Sequence, residues 1–327
     1  MEMRYDLTRR AVLGVAAASV AAPALAQIPG HPDHVKGPRV FLDYDQAELD
    51  AAYDQSFYAP NLQQITGRYA TNSDVTRSRL GPPRTVSYGP TPIETLDIYR
   101  TKKANAPILV FIHGGAWRSG RAKDYGFPAE AIVHAGAHYV VPDFAWVQDV
   151  GGDLATVVGL VRRAVAWVAK NAASFGGDAG RIYVSGHSSG GHLAGVLLTT
   201  DWHKEFGLPA NLIKGGVCAS GMYDLHPVSL SARSGYVKFT EASIAAFSSQ
   251  RHLDLLRCPV SVVYGTFETP EFQRQNRDFV AAVKAAGKPV DLTVAAGYNH
   301  FEVMETLANP YGFVGRAALA QMKLIRA

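Results

Sequence analysis

Gly186-His187-Ser188-Ser189-Gly190 reads G-x-S-x-G, set between an apolar run at Arg181–Ser185 and a helical pattern at Gly191–Thr200. A sharp strand-to-helix turn of that kind lifts the central hydroxyl clear of the sheet, and its glycines let other backbone approach. The N-terminus of the following helix favours negative charge developing beside it. Ser188 is therefore the candidate nucleophile. A serine hydroxyl attacks poorly at neutral pH and requires a base that a third group orients. Where this turn is used, the chain order is serine, acid, histidine. Of the 11 histidines only His300 follows the last strand pattern, in Tyr298-Asn299-His300-Phe301, and it is the candidate base. The acid should end the preceding strand, where Val262-Val263-Tyr264-Gly265-Thr266-Phe267 leads into Glu268; Glu271 and Asp224 are competing carboxylates.

A fourth segment, His113-Gly114-Gly115-Ala116-Trp117, directly follows the apolar run Ile108–Ile112. Backbone amides at Gly114 and Gly115, with that of Ser189, are placed to donate to the oxyanion of a tetrahedral intermediate, and Ala116 is the alternate for one of the glycines. Losing one such donor costs on the order of 3 kcal/mol of transition-state stabilisation. The constellation calls for no metal and no organic cofactor. His187 and His192 flank the serine at a spacing poor for metal ligation and without an adjacent carboxylate, so packing or substrate contact is their expected role. The glycine pattern at 186–191 is not a dinucleotide loop, because no acidic partner stands on the next strand. Trp117, Tyr125, Phe144, Trp146, Tyr223 and Phe267 all follow strand ends, where ligands bind in such sheets, and as a group they suggest an aromatic substrate pocket.

These residues need a scaffold. Strand patterns occur at Thr85–Tyr88, Glu94–Tyr99, Ile108–His113, His138–Asp143, Arg181–Ser185, Ile213–Ala219, Val260–Tyr264 and Val290–Ala295. Val157, Leu160, Val161, Ala164, Val165 and Val168 recur at helical spacing and predict an amphipathic helix over 153–173. Strands alternating with helices predict an α/β fold with a mostly parallel sheet, antiparallel near its start, flanked by helices. Residues 224–251 break the alternation and read as a small cap. Residues 27–84 form an N-terminal extension. Its His31-Pro32-Asp33-His34 lead reads as linker, and its stretch 45–65 reads as helical. Tyr44, Tyr53, Phe57 and Tyr58 in that stretch would cap the core, overhang a pocket or serve a homodimer.

Composition excludes several classes. With 327 residues, 47% hydrophobic and 18% charged, the chain is ordinary globular protein and long enough to bury a core without staples. A net charge of +4 is too slight for a nucleic-acid surface. Two cysteines exclude a cysteine-built metal or iron–sulfur site, and Cys218 and Cys258 are expected as buried free thiols. Residues 1–26 read as an export signal: Arg9-Arg10 precedes an apolar run, Ala11–Val20, and Ala24-Leu25-Ala26 fits a signal-peptidase site before Gln27. The run is short and proline-broken, whereas a spanning helix needs ~20 apolar residues. The expectation is a twin-arginine signal, a periplasmic or secreted product, and no stable membrane association after processing.

The four motifs, in this order, resemble those of the kynurenine formamidases (arylformamidases), α/β-hydrolases related to hormone-sensitive-lipase-type esterases. The resemblance covers about 41–327 and rests on four segments: Ser185–Ala194; His113–Trp117 with Ser119-Gly120 and Lys123-Asp124; Gly265–Phe272 with Arg274-Gln275; and His300-Phe301 with Val303 and Glu305. It implies Ser188 as nucleophile, Glu268 as acid and His300 as base, although the family usually carries aspartate at the acid position. It also implies a small ester or amide substrate, either an aryl ester or an N-formyl or aryl amide, cleaved through an acyl-enzyme. The alternative from another class is a non-catalytic ligand-binding protein on the same scaffold. Its signature would be a broken triad or a blocked oxyanion loop, and the sequence has neither.

Overall fold

The computed structural model describes residues 33–325. The export signal expected over 1–26, and the first part of the proline-rich lead, lie outside the described residues. The chain divides into two compact units, Met1–Val35 and Lys36–Ala327, and of the first only residues 33–35 are described.

The second unit is built on β1 (Arg84–Ser87), β2 (Thr95–Tyr99), β3 (Ala106–Ile112), β4 (His138–Pro142), β5 (Gly177–His187), β6 (Ile213–Ala219), β7 (Val260–Phe267) and β8 (Val290–Asn299). They form one sheet in the order β1-β2-β4-β3-β5-β6-β7-β8. Pairs β1–β2 and β2–β4 are antiparallel, and all later pairs are parallel. Every expected strand is present. The largest departure is β5, which begins at Gly177 rather than Arg181, with a register shift against β3 between Ala106 and Ile108. At its other end β5 runs to His187 and delivers the chain straight to Ser188.

The helices are α1 (Gln46–Ala52), α2 (Leu62–Leu80), α3 (Ala129–Ala135), α4 (Leu154–Asn171), α5 (Ser189–Leu198), α6 (Trp202–Phe206), α7 (Leu225–Leu230), α8 (Glu241–Phe247), α9 (Pro270–Ala285), α10 (His300–Glu305) and α11 (Phe313–Gln321). Side chains alternate across the strands, so the sheet separates two apolar layers. In β3, Ile108, Val110 and Ile112 join a layer with residues of α4, α5 and α9. Leu109 and Phe111 join the opposite layer with residues of α2, α3, α10 and α11. That is why β3 reads as apolar throughout.

The stretch 45–65 is not one helix. Ala59-Pro60 interrupts it, since proline lacks an N–H and disfavours helix in the residue before it. Helix α1, a 3₁₀ turn at Ser56–Tyr58 and then α2 result. The buried positions of α2 are Ile65, Tyr69, Ser73 and Thr76, three of them bearing hydroxyls and two of those small and polar, so its apolar period is faint. Ser73 Oγ accepts from the Phe127 amide at 3.0 Å, satisfying a buried donor where apolar packing would not. The interruption at 224–251 holds α7, a 3₁₀ turn at Ala232–Gly235 and α8. Both thiols are free and buried, and burial pushes each up to about 12. Among the described residues no helix is long and apolar enough to cross a membrane.

Helix α4 shows how local chemistry fixes an element's start. Asp153 caps it, accepting from the amides of Ala155 at 2.9 Å and Thr156 at 3.2 Å and from the Thr156 hydroxyl at 2.6 Å. The Thr156 hydroxyl is the main reason its carboxyl sits below the usual 3.8. Asp153→Ala is expected to cost about 1 kcal/mol at pH 7, read as a lower urea midpoint. A depressed carboxyl stabilises above its unfolded pKa and loses that as the pH falls through the folded one. The gap between variant and parent should therefore narrow below pH ~4; a constant gap would assign the effect to something other than the cap.

Candidate active site

Ser188 stands between β5 and α5 with φ 58° and ψ −125°, outside both regular regions. Its amide donates to the Ala219 carbonyl at 2.9 Å, pinning the turn to the end of β6. Gly190 allows the turn to close, because a Cβ there would lie 2.0 Å from the carbonyl oxygen of Ile112. Strain of this kind persists only where the surroundings over-determine it, and here two strands and a helix do so.

His300 opens α10 immediately after β8, and Asn299 caps that helix through the amides of Phe301 and Glu302. The His300 Nδ1 lies 2.9 Å from Glu268 Oε2, with both residues buried. The other oxygen, Oε1, accepts from the Ser220 hydroxyl and from the Gly265 amide, each at 2.6 Å. The carboxylate thus turns back onto its own strand, which the extra methylene of glutamate permits. The competing carboxylates are engaged elsewhere. Glu271 takes the Arg274 guanidinium at 2.6 Å and the Tyr53 hydroxyl at 2.8 Å, while Asp224 caps α7 and pairs with Arg251 at 3.1 Å. Ser220, itself at φ 51°, was not found from the sequence; the signal was its place at the end of β6, beside the acid-bearing β7.

The loop after β3 rides on the elbow. A Cβ at Gly114 would lie 2.9 Å from the His187 carbonyl oxygen and 3.1 Å from Ser188 Cβ. The Gly115 carbonyl accepts from the Arg118 amide at 2.9 Å and the Ser119 hydroxyl at 3.0 Å, closing a tight turn. Ala116 and Trp117 follow at φ 54° and 60°. The Trp117 amide donates to Ser189 Oγ at 3.1 Å, and its indole N–H donates to His192 Nδ1 at 3.2 Å. His192 in turn gives its Nε2 proton to the Phe247 carbonyl at 3.0 Å. Loop, elbow and the end of α8 are thereby one hydrogen-bonded unit.

Residues 96–215 match the BD-FAE family model. The chain is 28% identical over 275 residues to the kynurenine formamidase of Danio rerio, spanning 80% of this chain and 91% of that one. It is 31% identical over 232 residues to the kynurenine formamidase of Salmo salar, spanning 68% and 76%. The chain belongs to the kynurenine formamidase family of α/β-hydrolases. Esterase LipC of Mycobacterium tuberculosis is 29% identical over 247 residues, 70% of this chain and 59% of LipC. Among solved structures, a candidate thioesterase from Silicibacter sp. superposes with a TM-score of 0.74 at 24% identity, covering 86% of this chain and 99% of that one. That likeness shows the fold. This member of the formamidase family is thus a hydrolase with esterase relatives.

The aromatic side chains expected to line its pocket do not share one wall. Tyr223 is fully buried and stacks on Phe279 at 4.0 Å in the core. Tyr125 belongs to the opposite layer, stacked on His113 at 5.2 Å. Trp117 is buried against His192, Trp146 is half-buried under Arg121, and Phe267 is 57% exposed at the end of β7. Position after a strand end set where these residues stand, but not into which layer their side chains turn.

Three histidines of this formamidase-family site are held neutral. Burial pushes His113 and His192 down to about 4, and burial together with the His300 charge pushes His187 well below 6.5. Each takes a proton more readily unfolded than folded, so stability is full near neutrality and falls as the pH drops below about 6.5. A clearly lower urea midpoint at pH 5 than at pH 7 is expected, with the His113 and His192 imidazoles still neutral by ¹⁵N NMR at pH 5. Titration of those two rings near pH 6.5 would contradict the buried, neutral state.

Proposed function

We propose that the chain is a serine hydrolase working through an acyl-enzyme, on small aryl esters or N-formyl and aryl amides. Ser188 Oγ attacks the carbonyl carbon while His300 takes its proton. The tetrahedral oxyanion is received by amides drawn from Gly114, Gly115 and Ser189. Collapse breaks the bond to the leaving group, which takes the proton from His300. Water then attacks the acyl-serine by the same route in reverse roles, releasing the acid. Glu268 holds the imidazole in the tautomer that leaves Nε2 free and stabilises the imidazolium formed in each half-reaction.

The observation that carries this reading is the buried Glu268–His300 pair at 2.9 Å, linked through the His187 hydrogen bond to the residue before a serine on a strained strand-to-helix turn. A carboxylate buried without solvent is costly unless its oxygens are hydrogen-bonded, and here both are. The family's formamidases and esterases supply the substrate class. Under this reading the half-buried Trp146 and exposed Phe267 are the expected aromatics best placed to meet an aryl group, whereas Tyr125 and Tyr223 act through packing.

Ser188→Ala should lower p-nitrophenyl acetate turnover by a factor on the order of 10⁶ if the three residues act as a unit. A fluorophosphonate should label the parent at Ser188 and leave the variant unlabelled. Unchanged turnover, or no adduct on the parent, would reject the mechanism in favour of a binding protein. Comparing kcat/KM for N-formylkynurenine and phenyl acetate then ranks the two substrate types.

We further propose that the chain is exported by a twin-arginine signal and acts outside the cytoplasm. The support is Arg9-Arg10, the apolar run after it and the Ala24-Leu25-Ala26 site. Expressed in a bacterium, the chain should be recovered from the periplasm beginning at Gln27, and Arg9→Lys with Arg10→Lys should retain it in the cytoplasm. Cytoplasmic recovery of the unchanged chain with its first 26 residues intact would overturn the assignment.

A further inference from the structure

His187 is the variable residue of G-x-S-x-G, and the mechanism above gives it no part. It is 3% exposed, and its Nε2 lies 2.7 Å from the backbone carbonyl oxygen of His300. A carbonyl only accepts, so Nε2 carries the proton and, in the neutral ring, Nδ1 is bare. The two imidazole centroids are 4.6 Å apart at 46°. On its other side the ring faces the loop after β3, where a Cβ on Gly114 would come within 3.4 Å of His187 Nδ1. One side chain thus meets the histidine-bearing loop by a hydrogen bond and the glycine loop by contact, and is covalently next to the serine.

We infer that His187 is a positioning residue that sets the distance between Ser188 and His300, by tethering the His300 backbone to the elbow. The inference rests on the reading of Ser188, Glu268 and His300 as a catalytic set. Glu268 restrains only the Nδ1 edge of the His300 ring, and the Asn299 cap restrains only the start of α10. Glu268 refers the base to the serine only indirectly, through Ser220 and the neighbouring Ala219 carbonyl at the end of β6. The His187 hydrogen bond does so directly. Its ring also has to be neutral for this task, because a second positive imidazole in contact with His300 would oppose formation of the imidazolium. Its surroundings meet that condition, since burial and the His300 charge both disfavour its protonation.

His187→Leu keeps apolar volume and removes the donor. With enzyme counted by fluorophosphonate-titrated Ser188, it should lower kcat for p-nitrophenyl acetate about 100-fold, the cost of a displacement near 1 Å, with KM within about 3-fold. His187→Gln, whose amide N–H reaches toward the same carbonyl, should recover at least 10-fold of that loss. Equal kcat per titrated serine in the Leu variant and the parent, with only the melting temperature lowered, would overturn the inference. Equal loss in the Leu and Gln variants would do the same. A measurement on the parent does not depend on either variant folding: the His187 ring should be the Nε2–H tautomer by ¹⁵N NMR from pH 5 to 8, and its resonance should move when Ser188 is phosphonylated. An Nδ1–H tautomer would refute the tether. Failure of the parent itself to form an adduct would reject the catalytic set instead, so the two failures are distinguishable.

Discussion

A carboxylate with 0% exposure organises this site. An ionised Glu268 is tolerable there only because its oxygens receive hydrogen bonds from Ser220, Gly265 and His300. Those three donors come from the end of β6, the end of β7 and the start of α10. Satisfying one charge therefore requires two neighbouring parallel strands to end level, and β8 to deliver its following helix to the same point. The parallel register, with Gly216 opposite Val260 and Cys218 opposite Val262, supplies that alignment. Glutamate in place of aspartate is accommodated by the same geometry, since the longer side chain folds back to the Gly265 amide of its own strand.

The second constraint is dryness. His113, His187 and His192 are all within a few residues of the oxyanion loop or the elbow, and each gives its one ring proton to a backbone carbonyl. Neutral imidazoles in these positions act as shaped donors rather than as charges. His113 lies between Phe144 at 4.3 Å and Tyr125 at 5.2 Å, and Trp117 is fastened to His192, so the loop has little freedom to turn. Under the proposed mechanism, loop donors held this firmly before an oxyanion forms need no reorganisation when it does.

Much of this was legible in the sequence. The central strands β3 and β4 and the helix α4 announced themselves by apolar pattern, because each buries a continuous stripe. The turn at Ser188 and the contact between Glu268 and His300 follow the sequence pattern, because turn chemistry and chain order restrict where such residues stand. Helix α2 was not legible, since three of its four buried positions, Tyr69, Ser73 and Thr76, carry hydroxyls hydrogen-bonded to distant backbone. Ser220 was hidden for a related reason: its role is set by the neighbouring strand, 48 positions along the chain. Tyr125 and Tyr223 enter opposite core layers, which strand-end position alone does not reveal.

The interrupting segment at 224–251 is joined to the loops of the candidate site by contacts of another kind. Arg118, just past the oxyanion loop, lies over the Tyr236 ring at 4.4 Å. Arg233 lies 5.7 Å from the Trp117 ring and 5.8 Å from that of Tyr53, donating also to the Tyr53 carbonyl at 3.0 Å. Tyr53 packs on Phe272, and Phe272 on His300. Cation–π contacts of this sort are worth about 0.5–1 kcal/mol when exposed and more when desolvated, enough to bias a loop but not to rigidify a fold. The segment is therefore coupled to both the glycine loop after β3 and the His300 side of the site through individually weak, separable contacts. The buried carboxylate and its donors Ser220 and Gly265, by contrast, take no part in these contacts.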